Sequence, residues 1–206
     1  MSKKLIIVFE GIEGSGKSYH IENVAKYLKK KKIDFEKLRE PGGSKNSEKI
    51  RKLILDNKSN FNKKTDLLLY LASRSENVEK IIKKNYKKKI ILIDRFVDTT
   101  IAYQHHAMGI NKNLIDIMNN FLLNKIKVDF TFINLVNKKN FLSRLSKRKK
   151  LNRYDKLKNS FYKNAQNGFI KIYNKNKSKY MLINSNNPID LNKKLILNKI
   201  NKLLKI

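Results

Sequence analysis

The residue types best suited to chemistry are gathered in one short segment, Gly11-Ile-Glu-Gly-Ser-Gly-Lys17-Ser18. Its order, G-x-x-x-x-G-K-[ST], is that of a phosphate-binding loop. Glycines let backbone N–H groups turn inward around an anion, and a helix starting at the loop's end aims its positive terminus at the same charge. Lys17 can reach β- and γ-phosphates, and the Ser18 hydroxyl is a hard oxygen donor for Mg²⁺. Gly11, Ile12, Glu13, Gly14, Ser15, Gly16, Lys17 and Ser18 thus form the expected cradle for a nucleoside triphosphate, with Mg²⁺ as the cofactor.

Two further constellations fit that chemistry. Ile90-Ile-Leu-Ile-Asp94-Arg95 is an apolar strand ending in a carboxylate, the place where phosphate-loop proteins hold the acid that orients Mg²⁺, directly or through water. Arg95 beside it is placed to bind a second phosphate-bearing substrate. Ser146–Arg153 carries five basic residues, Arg148 and Arg153 among them, with almost no apolar anchor. It reads as a lid, about residues 146–156, that lays guanidinium groups over transferring phosphates. Val136-Asn137-Lys138-Lys139-Asn140 invites comparison with the guanine-reading N-K-x-D signature, but Asn140 lacks the carboxylate that pairs with guanine. That segment reads as a strand end and a helix start.

Composition sharpens these readings. The net charge is +31, yet only seven of the 48 basic residues are arginine. The lysines lie in short runs among Asn and Ile and read as solvated helix faces rather than a nucleic-acid surface. Against that background a retained arginine suggests a task needing a planar, bidentate fork. Five of the seven glycines sit in the phosphate loop and in the turn Pro41-Gly42-Gly43. There are no cysteines, so disulfides are excluded. No segment approaches the roughly 20 apolar residues that span a bilayer, and the first apolar run flows straight into the glycine loop, so a soluble, cytoplasmic protein is expected.

The elements that must position these groups follow from periodicity. Strand patterns occur at Leu5–Phe9, Ile33–Leu38, Ile90–Ile93, Phe130–Leu135 and Tyr180–Ile183. Helical patterns lie at Lys17–Lys31, Ser47–Asp56, Asp66–Lys84, Leu114–Leu123, Lys138–Lys147, Lys156–Tyr173 and Pro188–Leu204. Alternating strands and helices predict an α/β fold: a five-stranded parallel sheet with helices on both faces. Ligands on such sheets bind at the carboxyl ends of the strands, where Glu10–Ser18, Arg39–Gly43, Asp94–Arg95 and the residues from Val136 onward fall. Residues 1–206 read as a single domain.

Over essentially its whole length the sequence resembles bacterial thymidylate kinases, which have the P-loop NTPase fold. The loop Phe9-Glu-Gly-Ile-Glu13-Gly-Ser-Gly-Lys17-Ser18, the turn Arg39-Glu40-Pro41-Gly42-Gly43, the segment Leu69-Tyr70-Leu-Ala-Ser73-Arg74, and Asp94-Arg95-Phe96 followed by Ala102-Tyr103-Gln104 carry the resemblance. It implies ATP as co-substrate, dTMP as acceptor and a homodimer, to which the Asp66–Lys84 stretch could contribute. Tyr70 would wall the thymine, Arg74 would donate to its O4, and Gln104 and Thr100 would complete the base edge. Tyr103 would exclude a 2′-hydroxyl. Arg39, Arg51 and Arg95 would hold the monophosphate, with Glu13 facing the 3′-hydroxyl or the Mg²⁺ water shell. The resemblance assigns catalysis to Lys17, Asp94, Arg95 and the lid. Some members carry the catalytic arginine inside the phosphate loop; here that place is Gly14, which leaves Arg148 and Arg153. The lid reads Asn152-Arg153-Tyr154-Asp155 in place of the common Asp-Arg-x-Glu. Ser73 replaces a common Asp or Ala, and His105-His106 replaces a glycine-rich continuation.

Overall fold

The structure, a computed structural model, describes residues 4–206. Five strands, β1 (Ile6–Gly11), β2 (Phe35–Arg39), β3 (Ile90–Asp94), β4 (Phe130–Leu135) and β5 (Tyr180–Asn184), form one parallel sheet in the order β2-β3-β1-β4-β5. Between them lie helices α1 (Lys17–Lys30), α2 (Lys45–Leu55), α3 (Lys63–Asn77), α4 (Val97–Thr100), α5 (Lys112–Leu123), α6 (Lys138–Ser146), α7 (Asn159–Lys175) and α8 (Ile189–Leu204).

Side-chain alternation explains why the central strands are apolar without a break. Leu5, Ile7, Phe9, Ile90, Leu92, Phe130 and Phe132 pack on one face, against Ile21, Val24 and Leu28 of α1 and Ile196, Ile200 and Leu204 of α8. Ile6, Val8, Ile91 and Ile93 point the other way and meet Val78 and Ile82. Each such side chain fully buried contributes about 1.5–3 kcal/mol, so both faces must be covered. The P-loop NTPase fold follows from this layering and from the glycine loop between β1 and α1.

The register lines up the chemistry. Phe9 and Arg39 both pair with Asp94, and Gly11 pairs with Asn134. The phosphate loop, Arg39 and the Asp94-Arg95 pair therefore leave the sheet side by side. Asn137, read from sequence as a helix start, caps α6: its Oδ1 accepts the Asn140 N–H at 2.8 Å.

One element escaped the sequence. Val97–Thr100 continues as a π-helical stretch, Ile101–Ala107, and α3 runs on through another, Val78–Ile82. Wider π turns break the 3.6-residue spacing by which helices are recognised. Ile101–Ala107 packs against α7, where Gly168 lets His106 approach: a Cβ at that glycine would lie 2.7 Å from His106 Cδ2.

Candidate active site

β1 ends at Gly11, with φ 136°, where a Cβ would stand 2.3 Å from the Asn134 carbonyl oxygen. The position admits only glycine. Gly16 is left-handed and starts α1 with no side-chain cap and no acid in the first turn, so the helix's first amides are open to an anion. Lys17 is buried beneath the loop and donates to the Ile12 carbonyl at 2.8 Å. Burial, reinforced by the neighbouring Arg95 charge, pulls its ammonium down to about 8.

Across the loop, the Ser18 hydroxyl donates to Asp94 Oδ2 at 2.8 Å. Two oxygen donors thus stand together beside the phosphate cradle, a donor set that suits a hard divalent cation. Arg95 holds a left-handed backbone, φ 66°, a strain of about 1–3 kcal/mol for a residue with a side chain. Its own contacts maintain it. The backbone N–H donates to the Phe9 carbonyl at 2.9 Å, Nη1 donates to the Gly11 carbonyl at 2.8 Å, and Nη2 donates to Glu13 Oε1 at 2.8 Å. Glu13 also accepts from the Tyr103 hydroxyl at 2.6 Å. Burial alone would push the Glu13 carboxyl up; Arg95 and Lys17 outweigh it and hold the group below its usual range.

The end of β2 and helix α2 add two more guanidinium groups around the turn between them. Arg39 Nη2 reaches Glu48 Oε2 at 3.0 Å, and Arg51 Nη1 donates to the Pro41 carbonyl at 2.6 Å. The turn is sewn to α3 by polar side chains. The Gly42 N–H donates to Ser73 Oγ at 3.2 Å, and Asn77 Nδ2 donates to the Gly42 carbonyl at 2.7 Å. Ser73, a departure from the common pattern, is therefore an acceptor for this turn.

These groups surround a cleft of about 410 Å³. Of the residues expected to hold the second substrate, Glu13, Arg39, Arg51, Tyr70, Arg95 and Tyr103 line it. Arg74, Thr100 and Gln104 do not: they are 1%, 1% and 0% exposed, behind its wall. Arg74 donates to Glu40 Oε2, Asn119 Oδ1 and Thr100 Oγ1 at 2.8, 2.6 and 3.1 Å, while both amide atoms of Gln104 lack a partner.

The lid separates its two arginines. Arg148 lines the cleft, its Nη1 paired with the buried Asp155. Arg153 turns away from it: Nη2 meets Asp66 at 2.5 Å, Nε donates to the Ile54 carbonyl at 3.1 Å, and the guanidinium lies over Phe61 and Tyr154. The unusual Asn152 and Asp155 serve each other. Asn152 N–H donates to Asp155 Oδ2 at 3.0 Å, and the Tyr154 N–H donates to Asn152 Oδ1 at 2.8 Å, closing a local cap.

Three residues carry structure at this site without having been assigned from sequence. Glu10, wholly buried, accepts the N–H groups of Phe96 and Thr99 at 2.8 and 3.1 Å and so fixes the start of α4; burial pushes its carboxyl up. Arg144 donates to the Gly14 and Ser185 carbonyls at 2.9 and 2.8 Å, bracing the phosphate loop from α6. The third is Asn119. The scarcity of arginine was a usable signal for Arg144; nothing local marks Asn119. His105 Nδ1 pairs with the Ile110 carbonyl at 2.8 Å and His106 packs on α7, which gives both histidines structural contacts.

Comparison with known proteins agrees with this geometry. A family model described as thymidylate kinase matches residues 9–196. A thymidylate kinase of Thermosipho africanus is 38% identical over 187 residues, covering 90% of this chain and 92% of its own. One from Acholeplasma laidlawii is 36% identical, covering 97% of this chain and 100% of its own. The crystal structure of thymidylate kinase from Ehrlichia chaffeensis superposes with a TM-score of 0.79 at 30% identity, over 96% of this chain and 98% of that one. With its phosphate loop, its strand-end carboxylate and a match along nearly its entire length, the chain belongs to the thymidylate kinase family.

Proposed function

We propose that the chain transfers the γ-phosphoryl group of ATP to dTMP, giving ADP and dTDP for dTTP synthesis, as one domain over residues 1–206 with a lid near 146–156. The observation that carries the reading is the convergence of two phosphate-binding groups on one cleft. The glycine loop with Lys17 and Ser18 forms one, and Arg39, Arg51 and Arg95 form the other.

In this reading a dTMP phosphate oxygen attacks the γ-phosphorus, a new P–O bond forms, and the bond to the β,γ-bridging oxygen breaks with ADP leaving. The loop amides and Lys17 hold the ATP phosphates, while Arg39, Arg51 and Arg95 aim the acceptor. Positioning and charge neutralisation supply most of the catalysis in such transfers. Ser18 and Asp94 would hold Mg²⁺, directly or through water, and the ion would neutralise charge on the β- and γ-phosphates. Tyr70 walls the base and Tyr103 crowds the sugar, while Thr100 and Gln104, buried behind the cleft wall, back the base edge rather than line it. Arg74 has five N–H donors and uses three internally, so two remain for a base carbonyl that reaches the layer behind the cleft wall, where Arg74 lies. Arg148, held at the cleft by Asp155, is the lid arginine assigned to the transferring phosphoryl group; Arg153 anchors the lid through Asp66.

The family reading also supports a homodimer in the cytoplasm. Leu114, Ile117 and Phe121 of α5 form an exposed apolar stripe, and Leu68 of α3, on which α5 packs, is 59% exposed. Among the described residues no helix is long and apolar enough to cross a membrane. The +31 charge lies on solvated lysines such as Lys29–Lys32, and no nucleic-acid partner is proposed. The test is phosphorus NMR of purified protein with ATP and dTMP: dTDP should appear only with both substrates and Mg²⁺, and should stop on chelation. ADP without dTDP would overturn the reading.

A further inference from the structure

Helix α5 has an exposed apolar face and a buried face. Leu114, Ile117 and Phe121 are 50%, 64% and 76% exposed on the outside, whereas Ile115 and Asn119 are buried. Asn119 is 3% exposed and spends its Oδ1 on one contact, the 2.6 Å hydrogen bond from Arg74 Nη1, while its Nδ2 has no partner. An aliphatic side chain would remove the unpartnered Nδ2 but would leave the buried Arg74 Nη1–H without its acceptor, so what the amide adds over apolar packing is the bond to Arg74. The other two acceptors on Arg74 come from separate elements: Glu40 beyond β2 takes Nε, and Thr100 of α4 takes Nη2. Two hydrogen bonds leave a planar guanidinium free to pivot about the line between them; a third, on the remaining nitrogen, fixes the plane.

We propose that Asn119 is a positioning residue for base selection, which orients the Arg74 guanidinium so that its remaining N–H groups meet the pyrimidine 4-carbonyl. The proposal rests on the reading of Arg74 as the base reader. It ties the selectivity of the cleft to α5, the helix whose outer face carries the apolar stripe.

The test compares Asn119→Leu, Asn119→Ala and Asn119→Asp with Arg74→Lys, each checked for folding by circular dichroism. Loss of one orienting hydrogen bond in Asn119→Leu should raise the KM for dTMP roughly tenfold and narrow the preference for dTMP over dCMP. The KM for ATP should stay within about twofold, a split that general loosening of the fold would not give. Asn119→Asp retains the acceptor and should restore most of the dTMP affinity; Asn119→Ala serves if the leucine variant does not fold. An Arg74→Lys effect on dTMP without any in the Asn119 variants overturns the role of Asn119 alone. No effect from Arg74→Lys removes the base-reading role of Arg74 and the proposal with it.

Discussion

At the proposed phosphate end of the cleft, the groups open onto the ligand space from the loop, the ends of β2 and β3, and helix α2: loop amides, Lys17, and the guanidinium groups of Arg39, Arg95 and Arg51. At the base end the polar groups are sealed, with Arg74 and Thr100 bonded to each other inside a layer that includes Glu40 and Asn119. Phosphate binding needs charge and amide direction, which glycine conformation and a helix terminus supply locally. Base selection needs a donor held in one orientation, which takes acceptors from several elements. The first kind of site is written in a motif; the second depends on tertiary packing.

The phosphate end can be broken most severely. Lys17→Ala should lower kcat by at least about 10²-fold, the scale of losing one preorganised charge contact. Turnover within threefold of the parent, in folded protein, would remove Lys17 from the chemistry.

The lid arginines sharpen the contrast. Arg148→Ala should lower kcat by about tenfold or more with little change in the KM for dTMP, the pattern of an interaction made in the transition state. Arg153→Ala should mainly lower the melting temperature, because it strips Asp66 of a partner, a loss of about 1–3 kcal/mol. Equal kcat losses from the two variants would contradict their separation.

Protonation gives a gentler probe. Lys17 is charged below its value of about 8 and loses its proton as pH rises through it. The affinity of free enzyme for ATP should therefore weaken several-fold between about pH 7 and 9, while affinity for dTMP, which relies on arginines, should stay nearly flat. An unchanged ATP affinity would mean that Lys17 keeps its proton. The smallest expected effect is Ser73→Ala, which removes one neutral acceptor from the Gly42 amide and should cost about 1 kcal/mol of stability, read from a denaturant midpoint.

Much of this was legible in the sequence because the chemistry is concentrated. Gly11, Gly16, Lys17 and Ser18 announce the loop, and β3 announces Asp94 by ending an apolar run in a carboxylate. The parallel sheet follows from uninterrupted apolar strands. What sequence could not supply was direction. Arg148 and Arg153 lie five residues apart in one basic run, yet burial of Asp155 and Asp66 on different elements sends one toward the cleft and the other away. Helix α4 was missed because four residues are too few to show a period, and its continuation because π turns do not keep the α-helical spacing. Asn119 lies 45 residues from Arg74, and only the fold brings them together.

The claim that the base end chooses and the phosphate end transfers is tested most directly by kcat/KM across dTMP, dUMP, dCMP, dGMP and UMP, with ADP release coupled to a spectroscopic readout. dCMP presents an amino group where dTMP presents the 4-carbonyl, so a buried donor would face another donor. dTMP should be preferred over dCMP by about 10- to 200-fold or more, with UMP and dGMP poorer than dTMP as well. Comparable kcat/KM for dTMP and dCMP would contradict the account.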